Sequence, residues 1–168
     1  MPNHAVLVVD DEANVLKALE RALRKEKFTL LTAGSADEGL KLLSAREVSI
    51  VISDFQMPKM NGLEFLTQVR ADYPHILTIM LTGQGDLEVA VNAINEVGIY
   101  KFIQKPWNDQ DLIITLRRAM ESLDLVLERD RLLQKVKSRD AILRELEKKF
   151  PGITKVERDE DGSVMMDE

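Results

Sequence analysis

The sequence contains no cysteine, which excludes disulfide bonds, thiolate zinc sites and cysteine nucleophiles. It also lacks any dense cluster of lysine and arginine, and its net charge of -6 argues against a nucleic-acid-binding surface. The segment MPNHAVLVVD at the start has neither a basic region nor an apolar run long enough for a signal peptide or a membrane span. These absences predict a cytoplasmic protein that neither binds nucleic acid nor inserts into a membrane.

The chain does contain a regular alternation of two apolar patterns along its 168 residues. Five short runs rich in apolar and β-branched residues are typical of buried strands, at residues 5–9, 28–33, 49–53, 76–81 and 99–103. Apolar residues at helical spacing lie between these runs, and the last such stripe comprises Val89, Ala90, Ala93 and Ile94. Five consecutive strand and helix units predict an α/β fold with a doubly wound parallel sheet and right-handed crossovers.

Four of the five runs end on a polar side chain. Asp10 and Asp11 follow the first run, and Asp54 follows the third. Thr82 follows the fourth run, and Lys105 follows the fifth. Because the carboxyl ends of parallel strands meet beside one crevice, these side chains are expected to form a single site.

Each of these residues also has an ordinary structural role open to it, such as capping of the first helix by Asp10 or Asp11. Taken together, however, they favour phosphoryl transfer. Carboxylates that lie close together repel one another unless a cation neutralises them. Mg²⁺ is a suitable cation because it binds both carboxylate and phosphate oxygens. Asp54 is the candidate nucleophile because a carboxylate needs no base to activate it. Lys105 and Thr82 are suited to contact the phosphoryl oxygens.

The segments around these strand ends resemble the response-regulator receiver domain of two-component phosphorelay signalling. The matching segments are VLVVDDE, SDFQMPKMNG, LTGQG and KFIQKPW. The resemblance covers residues 4 to about 121. It implies a flavodoxin-like fold with five parallel strands in the order 2-1-3-4-5.

The resemblance also implies a role for each site residue. Asp54 corresponds to the phosphoacceptor and is a Mg²⁺ ligand as well. Asp11 corresponds to a direct Mg²⁺ ligand, Asp10 to one that acts mainly through metal-bound water, and the backbone carbonyl of Gln56 to a further ligand. Lys105 corresponds to the lysine that usually precedes a cis peptide bond.

A phosphate donor and a switch are implied in the same way. The donor would be a sensor histidine kinase or phosphotransfer protein, because neither His4 nor His75 has the setting of a phosphocarrier. After phosphorylation Thr82 would move toward the phosphoryl group and Phe102 would turn inward, with Tyr100 as the competing aromatic. Such a protein modifies only itself and is not otherwise an enzyme.

A haloacid-dehalogenase-like phosphatase is the alternative for an aspartate nucleophile with threonine, lysine and Mg²⁺. Those enzymes carry a second aspartate two residues after the nucleophile, where this chain has Gln56. They also lack an aspartate pair after the first strand. The sequence therefore favours the receiver.

Beyond the receiver, no proline or glycine occurs between Asn108, a suitable N-cap, and Pro151. This predicts one helix about 64 Å long. Its first part carries an apolar seam that would pack on the sheet. The second seam, shifted by one residue, needs a partner helix and comprises Leu125, Leu132, Val136, Leu143, Leu146 and Phe150. We expect a receiver at residues 1–121 and an extension at residues 122–150 that forms a parallel coiled-coil homodimer.

Residues 151–168 form an acidic tail in which Asp161 and Gly162 are typical of a hairpin turn. Calcium binding is the weaker interpretation, since the spacing of acidic residues approaches that of an EF-hand loop but starts with Glu157 in place of aspartate. No segment has the pattern of a helix-turn-helix output domain. The protein would therefore signal through protein contacts, or the chain is the N-terminal part of a longer regulator.

Overall fold

The computed structural model describes residues 3–153, apart from the side chains of residues 93 and 94. The strands are β1 (Ala5–Val9), β2 (Thr29–Ala33), β3 (Ile50–Asp54), β4 (Leu77–Thr82) and β5 (Lys101–Gln104). The helices are α1 (Ala13–Leu23), α2 (Ala36–Ala45), α3 (Gly62–Asp72), α4 (Leu87–Val97) and α5 (Asp109–Lys149), and a short 3-10 turn covers Gln84–Asp86. The hairpin and the calcium loop considered for the tail lie outside the described residues.

The five strands form one parallel sheet in the order β2-β1-β3-β4-β5, which confirms the predicted fold. Each strand begins and ends within two residues of its predicted bounds. β3 and β4 run one residue farther than predicted, so they include Asp54 and Thr82. Both side chains are therefore positioned by the sheet itself.

The core consists of two apolar layers, one on each face of the sheet. Successive residues of a strand point to opposite faces, and β1 supplies both layers. Val6 and Val8 pack with residues of α1 and α5, among them Leu116. Leu7 and Val9 pack with residues of α2, α3 and α4. Helices on both sides explain why the strands are apolar along their whole length.

The apolar stripe predicted for α4 is partly wrong. Ala90 is buried, but Val89 is 45% exposed, and Leu87 and Val91 are also exposed. Successive residues of a helix are turned by about 100°, so Val89 points to the flank when Ala90 faces the sheet. α4 therefore presents apolar side chains on its outer surface.

α5 begins as predicted, because the side-chain oxygen of Asn108 accepts hydrogen bonds from the backbone N–H groups of Gln110 and Asp111 at 2.9 and 3.2 Å. The chain divides into two units between Asp124 and Leu125, and α5 contributes residues to both. No helix within residues 3–153 combines the length and the hydropathy that a membrane crossing requires.

His4 is part of the folded first unit and is only 8% exposed. Its ring nitrogens are hydrogen-bonded to the Ser49 hydroxyl and to the Asp124 carboxylate, both at 2.9 Å. The backbone N–H of Thr29 donates to the His4 carbonyl at 3.0 Å. The residue before β1 thus connects the residue before β3 with α5, at the edge of the sheet opposite the strand ends that carry the predicted site.

Candidate functional site

Asp54 is the last residue of β3, all of whose residues are buried, and its own exposure is 5%. The backbone that follows is held in place, since the Phe55 N–H donates to the Leu81 carbonyl at 2.9 Å and the Gly62 N–H donates to the Phe55 carbonyl at 2.7 Å. Gly62 lies so close that a Cβ atom there would be 2.8 Å from the carbonyl carbon of Asp54. These contacts fix Asp54 at the carboxyl edge of the sheet.

The ammonium group of Lys105 joins two of the predicted carboxylates. Its Nζ atom lies 3.1 Å from Asp54 Oδ1 and 3.2 Å from Asp10 Oδ2. The Lys105 backbone N–H donates to the Thr82 carbonyl at 2.7 Å, and the peptide bond to Pro106 is cis, as the resemblance implies. The structure therefore brings Asp10, Asp54 and Lys105 into direct contact.

A third carboxylate, that of Glu12, lies near this pair, although the sequence analysis did not single it out. Carboxylate oxygens of Asp10, Glu12 and Asp54 lie within 4.8 Å of one another. Asp11 is exposed and lies outside this group, although its charge contributes to the raised pKa of Asp54. The roles of Asp11 and of the Gln56 carbonyl as metal ligands stay predictions.

Neither aspartate after β1 is the cap of α1, so the capping alternative is wrong. Glu12 occupies the N-cap position, and no side chain caps the helix there. Asp10 is fully buried, and its Oδ1 atom accepts a hydrogen bond from the Glu12 N–H at 2.9 Å. This bond orients the Asp10 carboxylate toward the cluster.

The site carries more negative than positive charge, with one ammonium facing three carboxylates. Burial raises the pKa of Asp54, and the charge of Asp10 adds to this effect, while the hydrogen bond from Lys105 opposes it without cancelling it. Burial disfavours the charged form of Lys105, but the hydrogen bond to Asp54 and the charge of Asp10 raise its pKa overall. Lys105 thus remains an ammonium at neutral pH, and the surplus of carboxylate oxygens suits a hard divalent cation.

The Thr82 hydroxyl lies in the interior without a hydrogen bond. The residue is fully buried, and its Oγ1 atom has no partner among the residues that the structure describes. A buried hydroxyl without a partner is unfavourable by about 1–3 kcal/mol. Thr82 is therefore ready to donate to an oxygen that enters the site.

Phe102 lies on the same face of the sheet as Thr82. It is opposite Met80 on the neighbouring strand β4, and Met80 and Thr82 share a face because they are two residues apart. Phe102 is half-buried and packs against the layer that includes α3 and α4. Tyr100 is 40% exposed and precedes β5.

The sequence interpretation missed two residues of this region. Glu12 directly follows Asp10 and Asp11 in an unbroken acidic segment. This segment was the feature of the sequence that could have indicated its place in the site. Asp86 accepts hydrogen bonds from the Gln56 side chain, 30 residues away in sequence. No local pattern predicts a contact between two loops at that separation.

A doubly wound sheet with an acidic cluster, a hydroxyl and a lysine at its carboxyl edge defines a receiver-type signalling domain. A family model described as the response regulator receiver domain matches residues 6–117, which is more than half of the chain. The chain therefore belongs to the response regulator receiver domain family.

Known relatives agree with this assignment. The hydrogenase transcriptional regulatory protein HoxA of Cupriavidus necator is 41% identical over 140 residues, which cover 83% of this chain and 29% of HoxA. The signal receiver domain of an HD domain-containing protein from Pseudomonas fluorescens is 38% identical, with a TM-score of 0.70 over 73% of this chain and 98% of that one. NtrX from Brucella abortus is 30% identical, with a TM-score of 0.72 over 85% of this chain and 34% of NtrX. The chain thus spans less than a third of the length of the curated relatives that it matches.

Proposed function

We propose that this chain accepts a phosphoryl group on Asp54 from a phosphohistidine of a sensor histidine kinase or phosphotransfer protein. The observation that carries the proposal is the buried Asp54 carboxylate, held 3.1 Å from the Lys105 ammonium at a strand end that neighbours the unpaired Thr82 hydroxyl. An Asp54 oxygen forms a bond to phosphorus while the phosphorus–nitrogen bond of the donor breaks and its imidazole recovers a proton. The chain modifies itself and turns over no other substrate.

The acidic residues would hold Mg²⁺ during this reaction. Asp54 and Asp10 offer buried carboxylate oxygens, and Glu12 lies within reach of both. Asp11 and the Gln56 carbonyl complete the proposed ligand set on the family pattern. When bound, Mg²⁺ neutralises charge that develops on the phosphoryl oxygens.

The added charge would change the structure through Thr82. Its hydroxyl gains a hydrogen-bond acceptor when a phosphoryl group occupies the site, which removes the unfavourable burial of an unpaired donor. Movement of Thr82 toward Asp54 changes the packing on the face it shares with Phe102. This is the proposed route from the phosphoacceptor to the surface formed by α4, β5 and the first part of α5.

The experiment that tests phosphoryl acceptance uses the full chain, Mg²⁺ and acetyl phosphate. We expect the intact mass to increase by one HPO3 group and peptide mapping to place the adduct on Asp54. Chelation of Mg²⁺ by EDTA is expected to slow adduct formation at least about tenfold. An unchanged mass in the presence of Mg²⁺, or an adduct elsewhere, contradicts the proposal.

Residues 122–150 would pair with a second copy of the chain, as an extension to the receiver at residues 1–121. The second apolar seam is exposed in the single chain, with exposures of 71% at Leu125, 53% at Val136 and 59% at Phe150. Exposed apolar side chains at coiled-coil spacing gain stability when a partner helix covers them. A parallel homodimer is the arrangement that we propose.

Replacement of Leu143 by aspartate is expected to dissociate this dimer. The substitution puts a charge into the seam, whereas Ser138→Asp puts the same charge on another face of α5 and serves as the matched control. Light scattering should give twice the chain mass of 19.1 kDa for the wild type and Ser138→Asp, and the single mass for Leu143→Asp. A monomeric wild type at micromolar concentration rules out the dimer.

The relatives indicate how such a chain is used in longer proteins. HoxA, which matches along 29% of its length, is named a transcriptional regulatory protein. We propose that this chain corresponds to the receiver part of regulators of this kind, with an unidentified protein as its downstream partner. A cytoplasmic location remains a prediction from the sequence.

A further inference from the structure

The middle of α5 carries two neighbouring cations that their own helix does not neutralise. Lys135 and Arg139 lie four residues apart, and like charges at this spacing repel each other. The positions three and four residues before and after each of them hold no aspartate or glutamate. Neither side chain forms an ion pair within residues 3–153. A second helix that supplied an acid here would therefore gain an attraction that the single chain lacks.

Two acids of α5 lie near these cations, and only one of them is unpaired. Glu128 is hydrogen-bonded to Arg131 at 2.7 and 3.1 Å. This bond, and to a lesser extent the charges of Arg131 and Lys135, lowers the pKa of Glu128. Asp140 is exposed and has no ion pair in the part of the chain that the structure describes, although cations lie three residues before it and four residues after it. Asp140 is thus the acid that a second helix can reach.

The exposed apolar seam shows on which side of α5 each charge lies. α5 is one unbroken helix from Asp109 to Lys149, so a single heptad register applies to the extension. The seam occupies two columns of positions seven residues apart, namely Leu132, Arg139 and Leu146 in the first and Val136, Leu143 and Phe150 in the second. Lys135 directly precedes a residue of the second column, and Asp140 directly follows a residue of the first. The two charges therefore flank the seam on opposite sides, at the positions that form ion pairs between helices.

A parallel partner helix in the same register brings these two charges together. In such a pair, the residue before the second column on one helix meets the residue five positions later on the other helix. Lys135 and Asp140 are separated by five positions, and twofold symmetry makes the contact twice. Asp140 of the second copy also lies beside Arg139, which otherwise faces only another Arg139 across the seam.

We propose that Lys135 of each copy pairs with Asp140 of the other copy and that these two ion pairs select the parallel, in-register alignment of the coiled coil. This inference rests on the proposed homodimer, because it specifies how the two copies recognise each other. In an antiparallel pair each flanking position meets its own kind on the other helix, so Lys135 does not meet Asp140. The charges thus distinguish two alignments that the apolar side chains alone do not.

The first test reverses one charge at a time in the full chain. Lys135→Glu and Asp140→Lys are each expected to raise the dissociation constant of the dimer at least about tenfold, because two attractions become two repulsions. Lys137→Glu makes the same charge change away from the flank of the seam and should stay within about twofold of the wild type. Sedimentation equilibrium at low ionic strength, where exposed charges are least screened, measures all four proteins.

The second test mixes the two single variants, one of them labelled with ¹⁵N, and counts the dimers by native mass spectrometry. In a mixed dimer the two substituted positions face each other with opposite charges, and the unchanged Lys135 and Asp140 also meet. We expect the mixed dimer to exceed its statistical share of one half, and the variant that carries both substitutions to dimerise within about threefold of the wild type.

The outcomes separate this inference from the proposed homodimer. Single variants as tightly dimeric as the wild type, or a statistical mixture of the two variants, would overturn the pairing of Lys135 with Asp140 and leave the homodimer intact. Failure of the doubly substituted chain to recover dimerisation would do the same. A wild type that is monomeric under these conditions refutes the homodimer itself.

Discussion

Asp54→Asn is expected to take up no phosphoryl group under conditions that modify the wild type fully. The asparagine amide is neutral and a poor nucleophile, and the neighbouring Lys105 ammonium no longer faces a charge at that position. Removal of a nucleophile lowers the rate at least about a thousandfold. Intact-mass time courses on both proteins measure the effect, and an adduct on Asp54→Asn at a comparable rate would assign the acceptor to another side chain.

The missing adduct is informative only if the Asp54→Asn variant remains folded. The electrostatics of the site predict that it does. The pKa of Asp54 is raised in the folded protein by burial and by Asp10, so the folded state binds the proton more tightly than the unfolded state does. The ionised carboxylate therefore disfavours folding at pH values above the raised pKa, and this penalty disappears as the pH falls below the ordinary aspartate pKa. The neutral amide of the Asp54→Asn variant carries no such penalty.

Urea unfolding without Mg²⁺ provides this control. At neutral pH the Asp54→Asn variant should be at least as stable as the wild type, and the difference should shrink toward about pH 4. A variant much less stable than the wild type at neutral pH would show that the missing adduct reflects unfolding.

Gly62→Ala is expected to destabilise the protein by about 3 kcal/mol. Its Cβ atom would collide with the carbonyl oxygen of Asp54 and lie 2.8 Å from the carbonyl carbon and 2.9 Å from Phe55 Cα. These are backbone atoms at the end of a buried strand and cannot move aside as a flexible side chain does. The collision also displaces Asp54, so adduct formation should slow together with the loss of stability.

Gly85→Ala is the matched control, because a Cβ atom at Gly85 meets nothing within 4 Å. Its free energy of unfolding should remain within about 0.5 kcal/mol of the wild type. Urea denaturation of the two variants and the wild type measures both effects. Equal stabilities for Gly62→Ala and Gly85→Ala would show that the backbone around Asp54 yields easily.

The sheet could be predicted from the sequence because its strands can be buried in few other ways. Runs such as VSIVIS and ILTIML are apolar along their whole length, and a strand of this kind is stable only when both of its faces are covered. Once five such strands are parallel, their carboxyl ends must lie together. The contacts of Lys105 with Asp10 and Asp54 were therefore accessible from the sequence.

Two kinds of feature could not be predicted from the sequence. They are the contacts between loops and the face that an apolar helix turns toward the sheet. α4 has apolar residues on more than one face, so spacing alone could not show that Ala90 rather than Val89 turns inward. His4 carries no local signal for its burial, because its partners Ser49 and Asp124 belong to distant elements. Glu12 lies in the carboxylate cluster because of the course of the backbone after β1. The residue types in this segment do not specify that course.

The ion pair between Lys105 and Asp10 joins residues that are 95 positions apart in the chain. β5, which leads to Lys105, is the last strand in sequence and forms an edge of the sheet. During synthesis the N-terminal part emerges first, so β1 and β3 can pair and bring Asp10 and Asp54 together while Lys105 is still inside the ribosome. The two carboxylates then repel each other without a counter-charge. Addition of β5 covers the free edge of β4 and brings Lys105 to the carboxylates, which relieves this repulsion.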